Sequence, residues 1–298
     1  VTPIHAWSTM TTIGWEPSYA GRVGNQPGTA ILLVGSDSRD GLSEEERNEL
    51  GTGEAEGQRT DSIMLLYTPP SGESVLISIP RDSYVTVPGY GRTKINAAYS
   101  YGGAELLTET VEQATGLRID GFMEVGFAGF ADIVDAVGGV ELCYDNTVSD
   151  PYSGLNWEAG CHTVDGTTAL AFSRMRYADP EGDIGRTKRQ RQVISKVVST
   201  AMSPSTLINP MRTLSVERAG SKSFTVDDSS SNVFTVASLV MALRSATSSE
   251  MMGVPPIESL DFTTDAGASA VLLRDTTAPD FFAKLRDGKL EATDFNQA

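Results

Sequence analysis

Residues Ser62–Ile79 read SIMLLYTPPSGESVLISI and contain two short apolar runs, Ser62–Tyr67 and Val75–Ile79. Runs of this length that are rich in Ile, Leu and Val predict strands buried in a sheet. The Pro-Pro-Ser-Gly segment between them predicts the turn that joins the two strands. A third run, Ala30–Val34, ends at Gly35 and predicts another strand. The sequence therefore places a sheet early in the chain.

Helical patterns follow these strands. The predicted helices at Ala104–Thr115 and Phe127–Val137 both stop at glycine, a residue that commonly ends helices. A third helix, Arg186–Ala201, carries an apolar stripe that includes Val193 and Val197. Further elements are predicted at Val140–Tyr144 (strand), Val233–Ala246 (helix), Ile257–Phe262 (strand), Ala270–Leu273 (strand) and Pro279–Leu285 (helix). Alternating strands and helices indicate a layered α/β fold.

Two segments lack such patterns, and no apolar run reaches the roughly 18 residues that a membrane-spanning helix requires. Residues 1–24 mix Pro, Gly, Trp and Ser without a period and are predicted to form a juxtamembrane or linker segment. Gly41–Gly57 is rich in glutamate and glycine, which predicts a solvated excursion from the fold.

Cations are concentrated in one segment of a chain whose formal net charge is −16, because six arginines and lysines lie between Arg174 and Arg191. Arginine presents a planar fork of donors that matches phosphate or carboxylate oxygens, so the segment predicts a site for a compact anion. The predicted helix places its cationic end at its N-terminus, where backbone N–H groups also attract anions. The alternative is a helix face covered with salt bridges. So acidic a chain lacks the broad basic face that duplex nucleic acid requires, and no nucleic-acid partner is expected.

Aspartates and arginines also occur where the predicted strands begin or end. The three groups are Gly35–Arg39, Arg59–Ser62 and Ile79–Asp82. Open α/β sheets usually bind ligands at strand ends, and a magnesium-diphosphate site requires carboxylate oxygens for the metal and guanidinium groups for the phosphates. Each aspartate could also be an ordinary cap or turn residue. The chain has no Walker A sequence and no Gly-x-Gly-x-x-Gly after a strand, so neither a P-loop nor a dinucleotide site is supported.

The chain has two cysteines, Cys143 and Cys161, in a region rich in Gly, Asn, Asp and Pro. They either form a disulfide, which would indicate an oxidising extracytoplasmic compartment, or remain as free thiols, and we favour the disulfide. His162 adds one ligand at most, too few for a structural zinc site. The other histidine, His5, lies in the terminal segment, so a Ser-His-Asp hydrolase is not expected.

Five motifs that follow one another along the chain resemble those of the LytR-CpsA-Psr family. They are Arg59–Met64, Ser78–Asp82, Thr93–Tyr99, Val134–Val140 and Phe172–Gln190, within a region of strongest resemblance at 30–201. The resemblance implies a single three-layer α/β/α domain over 25–298, with a central mixed sheet and an apolar cavity for a lipid tail. It also implies a magnesium-dependent phosphotransferase that moves a glycopolymer from a polyprenyl-pyrophosphate carrier to peptidoglycan or a surface protein.

The same resemblance implies roles for individual residues. Asp37 and Asp61 match magnesium-binding aspartates. Arg59, Arg81 and Asp82 match catalytic positions, where Asp82 would bind metal, orient the arginines or act as a base. The residues that match pyrophosphate-binding groups are Arg59, Arg81, Arg174, Arg176, Arg186 and Gln190.

Further expectations concern the support of the site, the lipid and the location. Lys94, Asn96 and Arg189 would either support the site residues or stabilise the fold. The cysteine pair resembles that of actinobacterial members, so we expect the extracytoplasmic face of a Gram-positive cell membrane, reached through a transmembrane segment absent from this chain. The cavity for the lipid tail would be lined by Phe122, Val125, Phe127, Phe130, Ile133, Val134, Val193, Ile194, Val197 and Val198.

Two alternatives use the same residues. A pyrophosphatase would release the lipid-linked head group to water, whereas a non-catalytic receptor would only bind an anionic wall polymer or lipid. A receptor requires arginines but no metal-binding carboxylates, so the presence of Asp37, Asp61 and Arg81 together favours an enzyme.

Overall fold

Two compact units are present in the computed structural model, which describes residues 11–37, 60–176, 178–227 and 233–295. Among the described residues, the sheet unit comprises 12–36, 60–124, 226–227 and 233–295, and the helical unit comprises 11, 37, 125–176 and 178–225. Each unit has a hydrophobic core of its own. The predicted excursion at Gly41–Gly57 lies outside the described residues.

The described residues form strands β1 (Thr11–Ile13), β2 (Thr29–Ser36), β3 (Thr60–Thr68), β4 (Val75–Ile79), β5 (Tyr84–Val87), β6 (Gly91–Lys94), β7 (Gly121–Val125), β8 (Val140–Tyr144), β9 (Val148–Asp150), β10 (Leu155–Trp157), β11 (Gly160–Val164), β12 (Phe224–Asp227), β13 (Met252–Gly253), β14 (Ile257–Thr263) and β15 (Ser269–Leu273). The helices are α1 (Ile95–Thr115), α2 (Phe127–Ala136), α3 (Gly166–Arg174), α4 (Gly182–Ala201), α5 (Pro204–Leu207), α6 (Pro210–Ser223), α7 (Val233–Ser248), α8 (Ala278–Arg286) and a 3-10 turn (Ala292–Asp294). None of these helices is both long enough and apolar enough to cross a bilayer. Every strand and helix predicted above is present; Val75–Ile79 and Val140–Tyr144 have the predicted ends, and the other elements have shifted ends.

The sheet unit is built on a mixed sheet with the strand order β1-β12-β7-β2-β3-β4-β13. Strands β2, β3 and β4 pair antiparallel, with Val34 opposite Ile63 and Ile63 opposite Ile79. Strand β13 lies parallel to β4, with Met252 opposite Leu76. The expected α/β fold with a central mixed sheet is therefore confirmed.

Helices cover both faces of this sheet. Side chains alternate along a strand, so Leu32, Leu65 and Ile77 share one face, where they pack into a core with α1 and α8. Leu76 is buried on the opposite face. Helix α7 contacts β3 and β4, and its Ala246 is buried outside the first core. The sheet unit therefore has a helix, sheet and helix arrangement.

Helix α1 is longer than predicted and is bent near its start. The sequence predicted a helix from Ala104, whereas α1 begins at Ile95 and continues across a kink at Gly102 and Gly103. Gly103 has φ of 64°, a conformation that favours glycine, and glycine is a poor helix former. The sequence pattern therefore detects only the part of the helix that follows the kink. The helix ends at Gly116 as predicted.

Part of the predicted linker, residues 1–24, is folded onto the sheet unit. Trp15 is buried in the core of that unit. The Tyr19 hydroxyl donates to Glu112 Oε2 over 2.9 Å, and Arg22 Nη2 donates to Glu112 Oε1 over 2.9 Å. Burial, followed by the bond to Glu112, raises the pKa of Tyr19 to about 12. The folded region therefore starts earlier than predicted. The sequence did not reveal this, because these residues have no periodic pattern and their partners are distant in the chain.

In the helical unit, α4 packs against α3 and strand β8, and the core contains Trp157 and Phe172. Strands β8 and β11 form an antiparallel pair in which Cys143 lies opposite Cys161, and the two are joined by a disulfide. The side chain of Gln192 in α4 donates to the backbone oxygen of Cys143 over 3.2 Å. The bridged strand pair is thus fastened to the helix that carries the cation cluster.

Replacing Cys143 and Cys161 together by serine should lower the melting temperature. The bridge joins residues 18 positions apart, and the chain-entropy model gives about 3 kcal/mol for a loop of this order. For a protein of this size we expect a decrease of about 5 °C or more by differential scanning calorimetry. Two reactive thiols in denatured, unreduced protein would contradict the bridge.

Candidate functional site

Arg81 and Asp61 are joined at one end of the central sheet. Asp61 lies at the start of β3, and Arg81 follows the end of β4. These strands are antiparallel, so the start of one adjoins the end of the other. Arg81 Nη1 donates to Asp61 Oδ1 over 2.6 Å, and both side chains are partly exposed. The Nε of Arg81 is buried and lies 3.8 Å from the carboxylate of Asp82, so Asp61 and Asp82 both orient this guanidinium.

Asp82 extends this cluster. Its buried carboxylate lies 2.8 Å from Nζ of Lys94, and its other oxygen lies 3.8 Å from Nε of Arg81. The backbone N–H of Asn96 donates to the carbonyl oxygen of Arg81 over 3.1 Å. Lys94 and Asn96 therefore support the predicted catalytic residues, the first through its charge and the second through its backbone.

The predicted magnesium ligands lie at the ends of strands β2 and β3. Asp37 directly follows β2, whose last residue, Ser36, pairs with Thr60, the residue before Asp61. Arg59, predicted to be catalytic and to bind pyrophosphate, lies outside the described residues.

The side chains at these strand ends that could bind magnesium are the carboxylates of Asp37 and Asp61. The described ranges contain no group of three or more His, Cys, Asp or Glu side chains that could hold a metal ion. Magnesium, however, usually takes one or two carboxylates and completes its shell with water and substrate phosphates. An all-oxygen set of this kind fits a hard cation.

Four of the predicted pyrophosphate-binding residues lie in the helical unit. Arg174 ends α3, and its guanidinium stacks 4.9 Å from the ring centroid of Phe127. Arg176 follows two residues later in the connection to α4. Arg186 is buried on α4, and Gln190 lies one turn further on the same face of the helix. The helix thus presents a guanidinium and an amide side by side.

The start of α4 differs from the prediction. The sequence placed Arg186 at the N-terminus, whereas α4 begins four residues earlier, at Gly182. Arg186 is therefore in the second turn, beyond the first-turn N–H groups whose dipole the prediction invoked. The first turn contains two glycines, Gly182 and Gly185, which are poor helix formers, so the sequence pattern did not predict this turn.

Arg189 serves the fold rather than a ligand. Its guanidinium is buried, its Nε donates to the carbonyl oxygen of Phe172 over 3.1 Å, and its other nitrogens donate to Met175 and Asp179. A Cβ atom on Gly185 would overlap the carboxylate of Asp179, so glycine is required where this carboxylate approaches the helix. Arg189 therefore fixes the segment that carries Arg174 and Arg176.

Arg191 belongs to the cation cluster of the sequence but matches none of the family's pyrophosphate-binding positions. Its Nη1 is buried, and no acceptor within the described part of the chain hydrogen-bonds to it. Burial lowers the pKa of the Arg191 guanidinium, because a charged group is less stable away from water. Its place in the cation cluster was visible in the sequence, but its burial without a partner was not. A guanidinium with a buried nitrogen that lacks an acceptor favours the binding of an anion beside it.

Three residues predicted to line a lipid cavity are core residues. Phe122 belongs to the core of the sheet unit. Val134 and Val193 are fully buried in the core of the helical unit. The lipid cavity itself stays a prediction.

Comparison with known proteins identifies relatives. The sequence model of the LytR_cpsA_psr family matches residues 15–254. The chain is 47% identical over 262 residues, 88% of its length and 62% of the relative's, to the "Probable cell wall biosynthesis protein LcpB" of Corynebacterium glutamicum. It is 36% identical over 187 residues, 62% of its length and 57% of the relative's, to the polyisoprenyl-teichoic acid–peptidoglycan teichoic acid transferase TagU of Enterococcus faecalis.

The fold has known counterparts as well. The crystal structure of protein gbs0355 from Streptococcus agalactiae matches with a TM-score of 0.68 at 28% identity, over 87% of this chain and 88% of that one. The chain spans less than two thirds of the length of each of the two curated relatives. The family match nevertheless covers most of the chain and includes all five motifs. The chain belongs to the LytR-CpsA-Psr family.

Proposed function

We propose that this chain carries the catalytic domain of a magnesium-dependent phosphotransferase that moves a glycopolymer from a polyprenyl-pyrophosphate carrier to an acceptor hydroxyl. The observation that carries the proposal is the cluster of Asp61, Arg81, Asp82 and Lys94, in which Asp61 orients an Arg81 side chain that stays partly exposed. The named activity of the Enterococcus faecalis relative, transfer of teichoic acid from a polyisoprenyl carrier to peptidoglycan, supports it.

Each part of the cluster has a role in this reaction. The acceptor hydroxyl attacks the sugar-proximal phosphorus, the bond from that phosphorus to the bridging oxygen breaks, and polyprenyl phosphate leaves. Arg81 would donate to the phosphoryl oxygens on which charge increases, with its plane held by Asp61. Asp82 would receive the hydroxyl proton, and Lys94, 2.8 Å from its carboxylate, would balance its charge. The product is a sugar-phosphate diester on the acceptor.

Magnesium and the second group of arginines complete the proposal. Asp37 and Asp61 would hold the metal, which when bound would neutralise charge on the diphosphate. By their match to the family motifs, Arg174, Arg176 and Arg186, with Gln190, would bind phosphoryl oxygens of a pyrophosphate group. The acceptor class, peptidoglycan or a surface protein, and the extracytoplasmic, membrane-attached location are part of this proposal. An apolar cavity would hold the polyprenyl tail.

One experiment separates the transferase from its alternatives. The chain is incubated with a defined polyprenyl-pyrophosphoryl sugar, with and without peptidoglycan, and the products are identified by mass spectrometry. A sugar-phosphate diester that requires the acceptor supports the transferase. Sugar phosphate released equally in both samples would indicate a pyrophosphatase. A donor that stays unchanged in both samples would indicate a non-catalytic receptor.

Replacing Arg81 by lysine should reduce turnover by about 100-fold while the protein stays folded. Lysine keeps the positive charge but cannot donate to Asp61 and to a phosphoryl oxygen in one fixed plane. The matched control is Arg118→Lys, since Arg118 also forms an ion pair in the sheet unit, with Glu16 over 3.1 Å. Full activity of Arg81→Lys would show that Arg81 acts only as a point charge.

Replacing Asp61 by asparagine should weaken magnesium binding, measured by isothermal titration calorimetry in the presence of inorganic pyrophosphate. An amide oxygen supplies less charge to a hard cation than a carboxylate does. Exposed Asp261, replaced by asparagine, is the control. If Asp61→Asn binds magnesium as wild type does but loses turnover, Asp61 only orients Arg81.

Arg191 and Arg189 should respond in opposite ways to replacement by methionine. Arg189→Met removes the ion pair between Arg189 and Asp179 and leaves the Asp179 carboxylate buried. We therefore expect the free energy of unfolding to fall by about 3 kcal/mol or more. Arg191→Met removes a partly buried guanidinium whose Nη1 has no hydrogen-bond partner in the described part of the chain, and it should keep or raise the melting temperature. The same variant should lose part of the increase in melting temperature that pyrophosphate gives the wild type. A decrease in stability for Arg191→Met, with an unchanged pyrophosphate effect, would show that Arg191 serves only the fold.

A further inference from the structure

Three large apolar side chains project together from one corner of the helical unit. Leu207 is 54% exposed, Ile208 is 80% exposed and Met211 is 73% exposed. Leu207 ends the short helix α5, Ile208 follows it, and Met211 lies in the first turn of α6. Large apolar residues are normally exposed singly, so three at one corner indicate an interaction surface. We call Leu207, Ile208 and Met211 the apolar corner.

The corner has a fixed local structure. The Ser203 side chain accepts from the N–H of Thr206 and caps α5, and the Asn209 side chain accepts from the N–H groups of Met211 and Arg212 and caps α6. Thr206 is buried beneath the corner, and its hydroxyl donates to the carbonyl oxygen of Thr200 over 2.8 Å. The three apolar side chains are therefore held outward by a folded turn between two capped helices.

Basic residues continue the surface along α6. Met211, Ser215 and Arg218 are exposed and follow one another at helical spacing on one stripe. Arg212 beside the corner is also exposed. Between Ser203 and Ser223 the chain has three cations and one anion, although its net charge is −16. The corner is thus apolar and locally basic on a protein that is otherwise acidic.

This combination fits an anionic lipid surface better than it fits another protein of the same kind. Apolar side chains enter the boundary between head groups and acyl chains, and neighbouring arginines attract anionic head groups. The acidic remainder of the chain would be repelled by the same head groups, which would orient the corner toward the bilayer. A second copy of this chain would bring like charges together at the corner, since Arg212 would face Arg212.

We propose that the apolar corner, with Arg212 and Arg218, is an interfacial anchor that inserts shallowly into an anionic bilayer. The inference stands on these residues and not on the transfer reaction, so the two can fail separately. It would bring the chain to the surface in which a polyprenyl carrier is dissolved.

The test uses sedimentation of the chain with vesicles of equal parts phosphatidylglycerol and phosphatidylethanolamine, at low salt. A triple variant with Leu207, Ile208 and Met211 replaced by serine should bind at least about tenfold more weakly than wild type. Met241 is 55% exposed and Leu260 is 47% exposed, at separate places in the sheet unit. The variant with serine at these two positions is the matched control and should bind as wild type does.

Charge is tested separately. Arg212→Glu combined with Arg218→Glu should abolish the preference for phosphatidylglycerol vesicles over phosphatidylcholine vesicles, because the attraction to anionic head groups is lost. Circular dichroism and melting temperature establish that each variant is folded.

Two outcomes would overturn the proposal. One is equal vesicle binding by wild type and the triple variant. The other is a wild-type dimer in light scattering that the triple variant lacks, together with no vesicle binding, which would assign the corner to a second copy. A failure of the transfer reaction is seen independently, as the absence of product from a soluble short-chain donor.

Discussion

The buried guanidinium of Arg189 holds the segment on which the cation cluster of the helical unit depends. It donates to the backbone at Phe172 and Met175 and to the carboxylate of Asp179, so one side chain closes the connection between α3 and α4. These bonds add to the packing of α3 against α4 in holding the segment that carries Arg174 and Arg176. A buried charge is tolerated there because the hydrogen bonds and the ion pair compensate for its loss of water.

Three arginines of this protein illustrate how the same side chain takes different roles according to its partners. Arg189 has partners for each of its guanidinium nitrogens and stabilises the fold. Arg81 donates from Nη1 to Asp61 and its side chain stays partly exposed, which suits a residue that is oriented and still able to bind. Arg191 has a buried Nη1 without an acceptor in the described structure, a state that a bound anion would relieve. The hydrogen-bond partners of each arginine, and not the residue type, therefore distinguish an arginine that stabilises the fold from one that can bind a ligand.

The central sheet explains why the first cluster forms where it does. The antiparallel pairing of β3 and β4 brings the start of one strand beside the end of the other, and this places Asp61 next to Arg81. The buried apolar runs that form these strands fix the register, since a shift by one residue would turn every core side chain toward the opposite face. Core packing and site geometry therefore depend on the same pairing.

The sequence by itself determined the strands β2, β3 and β4, the α/β class and the identity of the residues that bear charge at the strand ends, because hydrophobic periodicity, turn residues and motif order are local properties. It predicted neither the central strand β7 nor the helices α3 and α6. It missed the first part of α1 and the first turn of α4, where glycines interrupt the helical pattern. It also missed the packing of Trp15, Tyr19 and Arg22 onto the sheet unit. Only the tertiary structure decided which cations are paired, which are left with free donors and which apolar side chains remain exposed. Burial and pairing depend on residues far apart in the chain, and no local pattern contains that information.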